Sequence, residues 1–197
     1  QEMSRGLGDV YKRQVLCLSA IKKNSQVGIL CYSDIKELFI QPKKGRSHAY
    51  RIIKELYGLN NTSNKTNLNE MFKYFNSTIK KKSLVIIVSD FLDKNFKNTL
   101  KSLSNKHDVI CIHVEDKNEK RIPNLGLIEI ENNESNIKKW VNTSSSDFNQ
   151  IKEKTFKYKE NELQKFLKKI NTNYLKISSD SDYVKDLIKL FKFRNNN

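Results

Sequence analysis

Two apolar runs, SLVIIVSD at residues 83–90 and DVICIHVED at 108–116, constrain this chain more than any other feature. Leu84 to Val88 is uninterrupted, rich in β-branched residues and too short for a buried helix. It therefore reads as a central parallel strand, covered on both faces. Asp108 to Val114 repeats the pattern, and Phe96, Leu100 and Leu103 mark a helix between the two. A parallel pair needs such a crossover, so the unit implies an α/β sheet with helices on both faces.

The rest of the chain extends this alternation. Val15 to Asn24 has helical composition and ends in KKN; VGILCYS (27–33) suits a buried strand, and KELFIQ (36–41) alternates as an edge strand does. Ile52, Ile53, Leu56 and Leu59 predict a helix over Ala49 to Leu59, and Leu68, Met71, Phe72, Phe75 and Ile79 predict another. Beyond the second apolar run, GLIEIEN and IKKWVNT read as a hairpin joined by NES. Phe148, Ile151, Thr155, Tyr158, Phe166 and Ile170 lie along one face of a long helix. Asn173 to Ser178 gives a last strand, and Val184 to Phe191 a last helix capped by Asp180 or Ser181. The fold class is thus a doubly wound, mostly parallel α/β sheet, with no linker long enough to divide it.

One segment does not fit. Ser4 to Gln14, SRGLGDVYKRQ, has no apolar period and no signal-peptide core. Back-translated, all eleven residues fit one frame of a transposon-based library adapter. Residues 1–14 are accordingly read as an adapter-derived scar, and 15–197 as a natural domain truncated at Val15.

Composition narrows the function classes. The net charge of +15 falls to +14 once the three basic and two acidic residues of 1–14 are removed. Only six of the 37 basic residues are Arg; the others are Lys in a chain rich in Asn and Ile, which reads as a solvated surface and not a nucleic-acid face. Cys17, Cys31 and Cys111 are scattered through apolar runs with no ligand spacing, as reduced core thiols in a cytoplasmic protein are. No apolar run reaches the roughly 18 residues of a membrane span.

In a parallel sheet, ligands collect beyond the carboxyl ends of the strands. The residues placed there are Ser33 and Asp34, Ser89 and Asp90, and Glu115 and Asp116. Thr66, at the start of its helix, joins them. Thr66 alone reads more readily as an N-cap, and Asp90 equally as a cap or loop carboxylate; together their oxygens suit Mg²⁺ or Mn²⁺, though two ligands are too few. Enzyme signatures are missing: SDFLD lacks the second Asp of a haloacid-dehalogenase phosphatase, and GxxxxGK[ST], GxSxG and HExxH do not occur. His48, His107 and His113 are dispersed, and His113 reads as a core histidine.

The order QVGILCYSD, helix, the Thr of KTNLNEMF, LVIIVSDFLD, HDVICIHVED and LIKLFKFR resembles the von Willebrand factor A-like domains of the bacterial family numbered 58 among the domains of unknown function. DxxE followed by Pro and Gly, here Asp116, Glu119, Pro123 and Gly126, is similar too. The resemblance implies a metal-ion-dependent adhesion site holding Mg²⁺ or Mn²⁺. Thr66 and Asp90 match two of its three loops, and its DxSxS strand, the first central strand of the sheet, would lie upstream of Val15. It further implies a non-enzymatic protein-binding module partnered with a MoxR-type AAA+ ATPase. The alternatives are a basic nucleic-acid-binding module or a metal-dependent hydrolase using Asp90. On this reading residues 1–197 expressed alone aggregate or stay partly unfolded and bind no Mg²⁺. A sharp thermal transition from a soluble monomer whose midpoint rises with Mg²⁺ would overturn both expectations.

Overall fold

A computed structural model describes residues 25–60, 62–63, 65–93, 95–115, 125–132, 137–178 and 183–195. The helix expected over 15–24, the scar expected at 1–14, Cys17, the expected caps Asp180 and Ser181, and Asp116, Glu119 and Pro123 lie outside them. The chain divides into two compact units, Gln1–Tyr74 with Ser181–Asn197, and Phe75–Asp180.

In the first unit, β1 (Val27–Tyr32) and β2 (Lys36–Lys43) form an antiparallel hairpin. Helix α1 (Arg46–Tyr57) buries Ala49, Ile52, Ile53 and Leu56. Ile52 and Leu56 join Cys31 and Ile40 in one apolar cluster, flanked by Val27, Ile29 and Leu38. At about 1.5–3 kcal/mol for each large side chain removed from water, this cluster fixes the hairpin's register. Helix α2 begins at Leu68 and runs to Thr78.

The second unit is built on a three-stranded parallel sheet in the order β3 (Leu84–Ser89), β4 (Asp108–Glu115), β7 (Asn173–Ser178). Ile110 and Cys111 are both fully buried. Neighbouring strand residues point to opposite faces, so β4 is sealed on both. Helix α3 (Lys97–Lys106) contributes Leu100 and Leu103 to the core, and α4 (Ser146–Lys169) contributes Leu163 and Leu167. Asn171, in the left-handed region at φ 52°, ends α4 and turns the chain directly into β7. Strands β5 (Leu127–Asn132) and β6 (Ile137–Asn142) pair as the expected hairpin. Its base is closed where Gly126, at φ 74°, offers its carbonyl to the amide and hydroxyl of buried Thr143. Helix α5 (Tyr183–Asn195) returns to the first unit.

The protein is therefore mixed α/β with five helices among its described residues. One reading of the sheet is corrected. β1, expected as a buried strand of one large sheet, is antiparallel to β2 in a sheet of two, with Cys31 its one buried residue. β3, read as a strand whose other neighbour would be the first central strand upstream of Val15, pairs with β4 alone among the described strands, and its Ile86 and Val88 are half-buried. An apolar run reports burial and cannot say how many partners a strand has.

Gly28 sits where the hairpin register shifts, and a Cβ there would stand 2.7 Å from the Ile40 carbonyl oxygen and 2.8 Å from the Pro42 nitrogen. Both are backbone atoms and cannot swing aside. Gly58, at φ −87°, meets nothing closer than 3.7 Å. In thermal or urea denaturation of the full-length protein, Gly28→Ala is expected to destabilise by about 1–3 kcal/mol. Gly58→Ala is expected to be neutral or to stabilise by about 0.4–1 kcal/mol. Equal effects would refute the packing argument.

Candidate functional site at the carboxyl edge of the sheet

The register sets Ser89, His113 and Lys176 side by side at the carboxyl end of the parallel sheet, with Glu115 one step beyond. The chain leaves β3 through a tight turn. Ser89 Oγ accepts the Phe91 N–H at 3.0 Å, and Asp90 Oδ1 accepts the Leu92 N–H at 3.2 Å. Phe91 is held at φ 53°, a left-handed conformation that costs a bulky residue about 1–3 kcal/mol. Burial offsets that cost: its ring lies 5.8 Å from Phe96 and edge-on to His113 at 6.0 Å. The turn sinks Phe91 into the unit and leaves Asp90 exposed.

Behind the turn is a cleft lined by Asp90, Phe91, His113, Glu115 and, from α4, Phe156, Lys159, Glu160 and Leu163. Two polar arrays form its wall. Lys176 Nζ lies 2.6 Å from Glu160 Oε2 and 3.3 Å from Glu115 Oε2, and Gln164 steadies the other Glu160 oxygen at 3.3 Å. His113 Nδ1 lies 2.8 Å from the Tyr174 hydroxyl. Burial pulls the Lys176 ammonium down, but the hydrogen bonds to Glu160 and Glu115 outweigh it and hold its pKa above the usual value. Burial pushes the Tyr174 phenol up to about 12, so it keeps its proton while hydrogen-bonded to His113. Burial first, and then the Lys176 charge, lower the His113 pKa. The imidazole is neutral at pH 7.

His113 is thus half-buried at the rim and not a core histidine. Its place at the carboxyl end of β4, the rule that singled out Glu115, was the signal that would have found it. The core histidine is His107, 3% exposed, with Phe75 edge-on at 5.4 Å and no hydrogen-bond partner for either ring nitrogen among the described residues. Tyr174, Glu160 and Lys176 carried no sequence signal, because only the pairing of β7 with β4 and the packing of α4 bring them to His113.

Thr66 belongs to the first unit and Asp90 to the second. Thr66 is exposed and does not cap α2; Asn67 does, its Oδ1 accepting the Glu70 N–H at 3.0 Å. Asp90 is a loop carboxylate, since α3 begins seven residues later with no side-chain cap. Among the described residues no group of three or more His, Cys, Asp or Glu side chains could hold a metal. The oxygens of Thr66 and Asp90 fit a hard cation in kind but not in number. Cys31 and Cys111 are buried, as expected, and neither forms a disulfide among the described residues.

The family model described as "Protein of unknown function DUF58" matches residues 12–161. The chain belongs to the DUF58 family. Among curated proteins none matches this DUF58 chain. A solved structure, that of an uncharacterized membrane-spanning protein from Vibrio fischeri, is 12% identical over 93% of this chain and 83% of its own, with a TM-score of 0.25. No helix among the described residues is long and apolar enough to cross a membrane.

Two histidines whose pKa values are lowered in the fold set a pH dependence. The unfolded chain takes up their protons first as pH falls through the ordinary value of 6.5, so stability present above pH 6.5 is lost below it. The melting temperature of the full-length protein is expected to fall between pH 7 and 5.5. The slope should shrink in His107→Phe and shrink further when His113→Phe is added; an unchanged slope in the double variant would refute the assignment.

Proposed function

We propose that this DUF58 protein is a non-enzymatic, metal-dependent protein-binding module of the von Willebrand factor A type, with a MoxR-type AAA+ ATPase as its partner. The observation that carries the reading is the turn after β3. A strained, buried Phe91 holds an exposed carboxylate at the carboxyl edge of a parallel sheet, where such folds bind ligands. The turn occupies Asp90 Oδ1 and leaves Oδ2 without a partner among the described residues. Thr66 supports it as well, being exposed and spared from capping by Asn67. On this reading Thr66 and Asp90 are two ligands of Mg²⁺ or Mn²⁺, the others come from outside the described residues, and an open position on the ion takes an acidic side chain of the partner. Asp90 is a ligand here and no nucleophile.

The test uses Mg²⁺ as probe and the full-length protein. Thr66→Ala and Asp90→Asn are each expected to weaken Mg²⁺ binding in calorimetry at least about tenfold, or ~1.4 kcal/mol. Asp90→Asn keeps the turn's acceptor, so the metal-free melting temperature should hardly move. Undiminished Mg²⁺ affinity in both variants would sink the metal reading, and equal loss of metal-free stability would reduce the two residues to structural roles.

A further inference from the structure

The loop that carries Thr66 is held by a single carboxylate on the neighbouring strand. Glu37, on β2, receives the Ser33 hydroxyl on Oε1 at 2.7 Å. From the far side it receives the Thr62 amide on both oxygens, at 3.2 and 3.3 Å, and the Thr62 hydroxyl on Oε2. The Ser63 amide stands near enough to help lower its pKa. Ser33 completes the path, its carbonyl accepting the Asn67 N–H at 3.0 Å one residue after Thr66. Carboxylate to hairpin turn to helix cap, the connection brackets Thr66 on both sides in sequence.

The choice of partners is informative. The chain has 37 basic residues, yet among the described ones no cation pairs with Glu37; its donors are the hydroxyls of Ser33 and Thr62 and the Thr62 amide. Hydrogen bonds from amides and hydroxyls to an ionised acceptor are shorter and stronger than neutral ones, and unlike an exposed Lys pair they fix backbone position. The bonds from Thr62 and Ser33 lower the Glu37 pKa, so the clamp is charged at neutral pH.

We propose that Glu37 is a positioning residue: its carboxylate clamps the loop between α1 and α2 against the β1–β2 turn and so sets where Thr66 stands. The link to metal rests on the function proposed above, whereas the clamp itself is read out without metal. Amide hydrogen exchange on the full-length protein is expected to speed up at least about tenfold at Thr62 and Asn67 in Glu37→Ala, while Ile29 to Cys31 in β1 keep their protection. Glu37→Gln retains one acceptor for the Thr62 amide, and the hydroxyls can turn to accept from its NH₂, so it should recover most of the protection. Mg²⁺ affinity should fall at least tenfold in Glu37→Ala and return in Glu37→Gln. Unchanged exchange at Thr62 and Asn67 in Glu37→Ala overturns the proposal. So does faster exchange with unchanged Mg²⁺ affinity, where Thr66→Ala does lose Mg²⁺. If Thr66→Ala keeps Mg²⁺ as well, the metal reading is what fails, and Glu37 is judged on the exchange alone.

Discussion

Everything described in the second unit depends on β4 being sealed on both faces. Val109 to Ile112 are four consecutive buried residues, and a strand can bury consecutive residues only if something covers each side and both edges are paired. β3 and β7 supply the edges, and the core residues of α3 and α4 supply apolar cover. Once β4 is fixed, so is its last turn of pleat. His113 and Glu115 must emerge at the carboxyl end, Ser89 and Lys176 must flank His113, and the chain leaving β3 must bend within reach of the His113 ring. The cleft is a consequence of that packing, built from residues the sheet has no room to bury.

The cleft's electrostatics follow from the same partial burial. Lys176 is placed against two carboxylates and not one, which more than offsets the lowering that burial imposes on its ammonium. The charge then acts on its neighbour. Together with burial it holds the His113 imidazole neutral, with Tyr174 as its hydrogen-bond partner. Glu160 belongs to α4 and Lys176 to β7, so the ion pair also ties the long helix to the strand that follows it.

The elements were legible in the sequence wherever one residue's surroundings are set by its near neighbours. The uninterrupted β-branched run announced β4, the 3.6-residue spacing announced α1 to α4, and the hairpin at β5 and β6 came with its turn residues in place. What the residues did not announce was partnership between strands. The run at β3 looks as central as the run at β4, because apolarity records cover on two faces and says nothing of the second edge. β1 misled for a related reason: its apolar residues face α1 and β2 in a small hairpin core, which asks for the same composition as a large parallel sheet.

Of the candidate site, the carboxylate and hydroxyl at strand and helix ends were legible in the sequence, but the groups that hold them were not. Asp90 was visible because it follows an apolar strand; Phe91 was not, since nothing in SDFLD distinguishes an aromatic in the left-handed region from one in an ordinary turn. Glu37 stood in an alternating edge strand and looked like any solvent-facing carboxylate. Its partner Thr62 lies 25 residues away, and a contact between a strand and a later loop leaves no period behind it. Residues that present chemistry are marked by where an element ends, whereas residues that hold them in place are marked by contacts remote in sequence, and only the folded chain brings those together.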